Sequence, residues 1–139
     1  MKIMVPVDGS PYSLKAVETA AELARTKPHA SLVITAVAVE IPELEEGVYI
    51  AEKMRAQAQA ALAKAKEVAQ RDGLTVESIL LTGVSPAEEI VQAAKIQKAD
   101  LIVLGSRGLA GKTKSFLGST ASQVVTYSPC SVLVVKSQD

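Results

Sequence analysis

The chain has 139 residues, about the size of one domain, and 48% of them are apolar, enough for a core without disulfide or metal staples. Fifteen basic and fifteen acidic side chains cancel, so no net field draws the chain to nucleic acid or anionic lipid; the four aromatic residues (Tyr12, Tyr49, Phe116, Tyr127) make no stacking platform for single strands. No apolar run approaches the roughly 18 residues of a membrane span, the opening MKIMVPVDGS is too short for a secretory leader, and the lone Cys130 cannot form an intrachain disulfide, so the expected setting is the cytoplasm.

Residues 2–8 form a short apolar run ending in a turn, which predicts a buried strand. Ser10 and Pro11 then read as an N-cap and a proline in the first helical position, followed by Leu14, Val17, Ala21 and Ala24 at helical spacing. Leu32 to Val39 is the second strand. Residues 40–50, with four glutamates, a proline and a glycine, have no period and predict a long loop. From Ala51 to Arg71 the chain is dense in Ala, Lys, Glu and Gln, all strong helix formers, and Asp72-Gly73 ends that helix. Thr75 to Leu81 is the third strand. Ser85, Pro86 and Glu88 form a capping box for a helix through Ile90, Val91, Ala94 and Ile96. Leu101 to Leu104 is a fourth, wholly apolar strand, residues 120–127 a short helix, and Val132 to Val135 the last strand.

Strict alternation of apolar strands with helices predicts one domain over 1–139, an open α/β, Rossmann-like unit whose parallel sheet is covered on both faces. Ligands of such sheets bind beyond the carboxyl ends of the strands, where the strand order reverses. The specialised loops follow strand one (Val7, Asp8, Gly9, Ser10) and strand four (Gly105 to Gly108). Placing both at one crevice gives the order 3-2-1-4-5. Segment 105–120, GSRGLAGKTKSFLGST, holds four glycines, three basic residues and no acid, and it runs into a helix start. Glycines let backbone amides approach an anion, and a helix N-terminus adds partial positive charge; together they suit a polyphosphate.

Two familiar phosphate motifs fail. Gly111-Lys112-Thr113 supplies the end of a P-loop, but its first glycine would fall on Ser106; the dinucleotide pattern meets Arg107 where its second glycine belongs. What fits is Gly105-x-x-Gly108, nine residues, then Gly118-Ser119. This resembles the nucleotide-binding signature of the ATP-binding branch of the universal stress protein family. The opening segment 4–10, the stretch 99–106 and the closing stretch 128–135 resemble that family as well. The resemblance implies ATP with magnesium as ligand, held by Pro6, Val7 and Asp8 around the nucleoside, Val37 and Leu104 around the adenine, and Gly105, Arg107, Gly108, Gly118, Ser119 and Thr120 around ribose and phosphates. It also implies a homodimer through the closing strand (Val132, Leu133, Val134, Val135), which the pattern alone makes an apolar edge without charge or proline.

Plainer readings stand beside these. Asp8 also suits a helix-capping role, Lys112 and Lys114 a solvated one, His29 a loop position and Cys130 a buried, inert thiol. No paired carboxylates, Ser-His-Asp set or metal-ligand cluster appears, so catalysis is not expected beyond slow ATP hydrolysis or autophosphorylation at Ser119 or Thr120. The expected function is a nucleotide-dependent stress-response or signalling module; the rival is a dimeric interaction module without nucleotide. A two-component phosphoacceptor domain shares the architecture but needs an acceptor Asp after strand three, where this chain has Leu81, Thr82, Gly83.

Overall fold

The computed structural model describes residues 1–41, 47–108 and 118–136. Its elements alternate as β1 (Lys2–Pro6), α1 (Pro11–Arg25), β2 (Ser31–Val39), α2 (Gly47–Ala69), β3 (Thr75–Gly83), α3 (Pro86–Gln97), β4 (Leu101–Gly105), α4 (Ser119–Tyr127) and β5 (Ser131–Val135). All strand pairs are parallel, in the order β3-β2-β1-β4-β5. The predicted α/β fold and strand order are therefore those observed.

Side chains alternate across each strand and so build two cores. Ile3, Val5, Leu32, Ile34 and Val103 meet the alanine-rich faces of α1 and α2, where Ala16, Ala20, Ala24, Ala61 and Ala65 bring the helices close. Met4, Val33, Ile102 and Leu104 point the other way, onto Ile90 and Ala94 of α3 and Ala121 and Val124 of α4. Two helices thus cover each face. The helix starts follow the sequence signals: the Ser10 hydroxyl accepts from Ser13 N–H at 3.2 Å, and the Ser85 hydroxyl from Glu88 N–H at 3.4 Å. Gly73 takes φ +72° just beyond the end of α2, past one turn of 3-10 helix (Gln70–Asp72).

Helix α2 starts earlier and strand β3 ends later than expected. Helix α2 begins at Gly47, so residues 47–50 are helical and not part of the loop; a long Ala-rich helix propagates into residues of poor propensity more cheaply than it nucleates. Residues 42–46 of the predicted loop lie outside the described residues. Strand β3 runs on to Gly83 because β2 offers it a partner through Val39, and the Gly83 carbonyl then accepts from Glu40 N–H at 2.8 Å.

Among the described residues, Thr35 Oγ1 is the one buried side-chain polar atom with no hydrogen-bond partner. Thr35 is fully buried in the middle of β2. A buried hydroxyl left unpaired costs about 1–3 kcal/mol. Thr35→Val, which removes the hydroxyl and keeps the β-branched shape, is expected to raise stability by about 1 kcal/mol in a urea melt. A lower midpoint would show that the hydroxyl has a partner in solution.

Candidate functional site

The sheet parts where a crevice is needed. β1 pairs with β2 over five residues, from Lys2↔Ser31 to Pro6↔Thr35, but with β4 only at Ile3↔Leu101 and Met4↔Ile102. Val7 N–H donates to the Thr35 carbonyl at 2.7 Å, so its amide faces β2. Amides alternate along a strand, which turns the nitrogen of Pro6 toward β4, where it has no hydrogen to give. The β1–β4 ladder ends before Pro6, and the strands separate at their carboxyl ends.

Into that gap runs the turn after β1. Gly9 adopts φ +86°, a conformation that side-chain-bearing residues rarely take, and this reverses the chain into α1. Asp8 Oδ1 accepts from Ser10 N–H at 2.9 Å, while Asp8 N–H donates to the Ser13 hydroxyl at 3.4 Å. Asp8 therefore braces the turn, and Ser10 is the actual N-cap. Its other oxygen, Oδ2, sits where a side chain on Gly108 would have to be. The loops after β1 and β4 thus meet, carboxylate against glycine.

The three signature glycines are not alike. A Cβ on Gly105 would stand 2.9 Å from the Tyr12 carbonyl group, so the start of α1 can approach β4 only because that position is bare. Gly108 makes room for Asp8. Gly118 would place a Cβ at an ordinary 3.4 Å from the Ser106 oxygen, and its φ of −66° suits any residue. A glycine-only backbone at Gly118, which the motif suggests, is not what the geometry requires. Gly118 instead serves as the N-cap of α4, its N–H donating to Ser106 O at 2.7 Å; Ser106 N–H in turn donates to Val135 O at 2.9 Å. The chain thus leaves at Gly108 and returns at Gly118 against the same piece of backbone. As N-cap, Gly118 contributes no side-chain oxygen, and the first turn of α4 has no acid, whereas α1 and α3 are capped by serines. Ser119 is exposed and Thr120 half-buried in that turn.

The remaining residues singled out from the sequence divide by face. Val37, half-buried, and Leu104, buried, both pack on the α3–α4 core, on either side of β1 and near the carboxyl end of the sheet. Pro6 is buried at the end of β1. The Val7 side chain turns into the α1–α2 core, leaving its backbone to the crevice. Arg107 is half-buried between Ser106 and Gly108. Lys112 and Lys114 lie outside the described residues. His29 and Cys130 precede β2 and β5, at the opposite end of the sheet, so the structure does not bring them to the crevice. A separate cleft of about 350 Å³ opens on the α1–α2 side, between Asp8, Gly9 and Leu14 and the α2 residues Gln57 and Lys64. It shares Asp8 with the crevice but not the α4 N-terminus.

The universal stress protein family profile matches residues 1–136. The chain belongs to the universal stress protein family. A universal stress protein of Methanocaldococcus jannaschii is 38% identical over 139 residues, covering 97% of this chain and 81% of the relative. Among solved structures, the universal stress protein UspA of Lactobacillus plantarum superposes with a TM-score of 0.84 at 28% identity, covering 97% of both chains. A universal stress protein crystallised in complex with cAMP superposes with a TM-score of 0.74 at 31% identity, covering 97% of this chain and 96% of that one. The crevice described above thus sits in a universal stress protein fold, and at least one solved relative of that fold holds an adenine nucleotide.

Sequence reasoning missed Ser106, whose two backbone hydrogen bonds tie β5 and α4 to the end of β4. Ser106 does not stand out by residue type, because it acts through its backbone.

Proposed function

We propose that this protein is a cytoplasmic, ATP-binding stress-response module whose nucleotide-bound state is what its partners detect. The observation that carries the reading is the meeting of Asp8 with Gly108 at the parted ends of β1 and β4, beside a helix start without a side-chain cap. Backbone amides in the first turn of a helix have no intrahelical acceptor and draw anions, which suits the phosphates at Gly118, Ser119 and Thr120. Asp8, beside them, suits a ribose hydroxyl, and Val37 with Leu104 suits the base. The cAMP-bound relative supports an adenine nucleotide.

Asp8 Oδ1 is already engaged by the turn it braces, which suits holding a ligand better than activating water. Among the described residues no group of three or more His, Cys, Asp or Glu gathers to hold a metal, so magnesium would enter with the phosphates. No helix among the described residues is long and apolar enough to cross a membrane.

Mass spectrometry of small molecules released from freshly purified protein, followed by titration calorimetry with ATP and magnesium, tests the reading. An adenine nucleotide in the released fraction and saturable heat at one site per chain are expected. Neither signal, from folded protein, would overturn it.

A further inference from the structure

Glu89 occupies an unusual place. It lies in the first turn of α3, with its N–H donating to Ser85 O at 3.2 Å, yet its side chain folds back over the end of β3. A Cβ built on Gly83 would stand 2.5 Å from Glu89 Cγ and Cδ and 2.6 Å from Oε2. The carboxylate therefore fills the space that a side chain at Gly83 would take. It is half-buried and makes no hydrogen bond or ion pair to a described residue. Its oxygens are not among the buried unpartnered atoms, so water reaches them and a ligand's donor can take that water's place. Compensating the helix dipole does not account for the fold-back, because exposed Glu88 does that from solvent.

The register places this carboxylate relative to the crevice. Leu81 lies opposite Val37, and Gly83 opposite Val39. Ile79, Leu81 and Val37 all face the α3–α4 core, and Gly83, two residues beyond Leu81, faces the same way. Strands lie about 4.8 Å apart, so β4 and β3 are separated by roughly 14 Å across the carboxyl ends of the sheet. That span is comparable with the long dimension of a nucleotide. Phosphates at β4 and α4, ribose at Asp8 after β1, and base at Val37 of β2 follow in sequence across it, and the far edge of the base then reaches β3.

Resting on the nucleotide reading above, we propose that Glu89 is the base-reading residue of this site, its carboxylate seated on Gly83 to accept a hydrogen bond from an exocyclic 6-amino group and to reject a 6-keto oxygen. ATP is thereby selected over purine nucleotides with an oxygen at that position.

Calorimetric titration with ATP and with inosine triphosphate, which carries the keto group, tests the assignment. The wild type should prefer ATP by at least about tenfold, the size of one charge-assisted hydrogen bond gained and one repulsion avoided. Glu89→Gln, whose amide can donate to a keto oxygen, should reduce that ratio about tenfold, and Glu89→Ala should weaken ATP about tenfold while sparing the inosine nucleotide. Glu88→Gln, in the same turn, should keep the wild-type ratio, and thermal melts should show all variants folded. An unchanged ratio in Glu89→Gln overturns the assignment while leaving nucleotide binding standing. A wild type that binds neither nucleotide overturns the functional reading and the assignment with it.

Discussion

Replacing Gly108 with valine is expected to lower ATP affinity by about 10- to 100-fold while leaving the melting temperature within about 2 °C of wild type. Gly108 is half-buried in a loop, and among the described residues only the Asp8 side chain, not backbone as at Gly105, stands where its Cβ would be. The structure shows no positive φ there, so the backbone accepts a side chain; what does not is the Asp8 carboxylate, whose Oδ2 occupies that space. Asp8 can yield only by swinging away, and its Oδ1 is held by Ser10 N–H, so the brace of the β1–α1 turn is disturbed together with the ligand group. Overpacking of this kind costs roughly 1–3 kcal/mol, and it is expected to fall on the bound state, where the carboxylate cannot move aside and still hold the ligand. Asp8→Ala should itself weaken ATP, and in that background Gly108→Val should cost much less, since the obstacle is gone. Such non-additivity is what residues in direct contact show. Calorimetric titration of the wild type, the two single variants and the double variant measures it. Fully additive losses would mean that the contact between Asp8 and Gly108 plays no part in binding.

The sheet was legible because strand burial on both faces writes itself as apolar runs such as Leu101 to Leu104, and because serine caps and prolines mark α1 and α3. The strand order followed from requiring two odd loops, after β1 and β4, to share one crevice. What the sequence could not convey was the division of labour among like residues. Gly105, Gly108 and Gly118 are one motif in the chain but three different constraints in space: a backbone approach by Tyr12, a place for Asp8, and a helix cap. The effect of Pro6 on the sheet depends on which way its missing hydrogen would point, and only the Val7 amide in the structure shows that. Glu89 was invisible for a related reason, since its placement depends on Gly83, which is six residues earlier and contributes only the absence of a side chain.

Leu133→Lys is expected to convert a dimer into a folded monomer. β5 ends the strand order and, among the described residues, pairs on one side only, with β4, so the N–H and C=O groups of its other side have no strand partner among those residues. The opposite edge, β3, exposes Glu77, Ser78 and Thr82, polar groups that discourage strand pairing. β5 offers no such protection: its exposed positions are Ser131 and Leu133, the latter 38% exposed, and the rest of the strand is valine. Two-fold pairing of β5 with the same strand of a second chain would satisfy the edge and cover Leu133, with a total buried surface above about 1,000 Å². The two candidate positions on the strand separate by face. Val132 and Val134 pack on the α3–α4 core, so Val134→Lys would push a charge among Ile102, Leu104 and Val124 and is expected to destabilise the fold by several kcal/mol. Leu133 lies outside that core, so a lysine there meets the partner and not the interior. Sedimentation of the wild type at micromolar concentration should give twice the chain mass of 14.5 kDa. Leu133→Lys should give one chain mass with an unchanged far-ultraviolet spectrum. A wild type that sediments as a monomer with and without ATP would sink the dimer. A Leu133→Lys variant that stays dimeric would move the interface away from this edge.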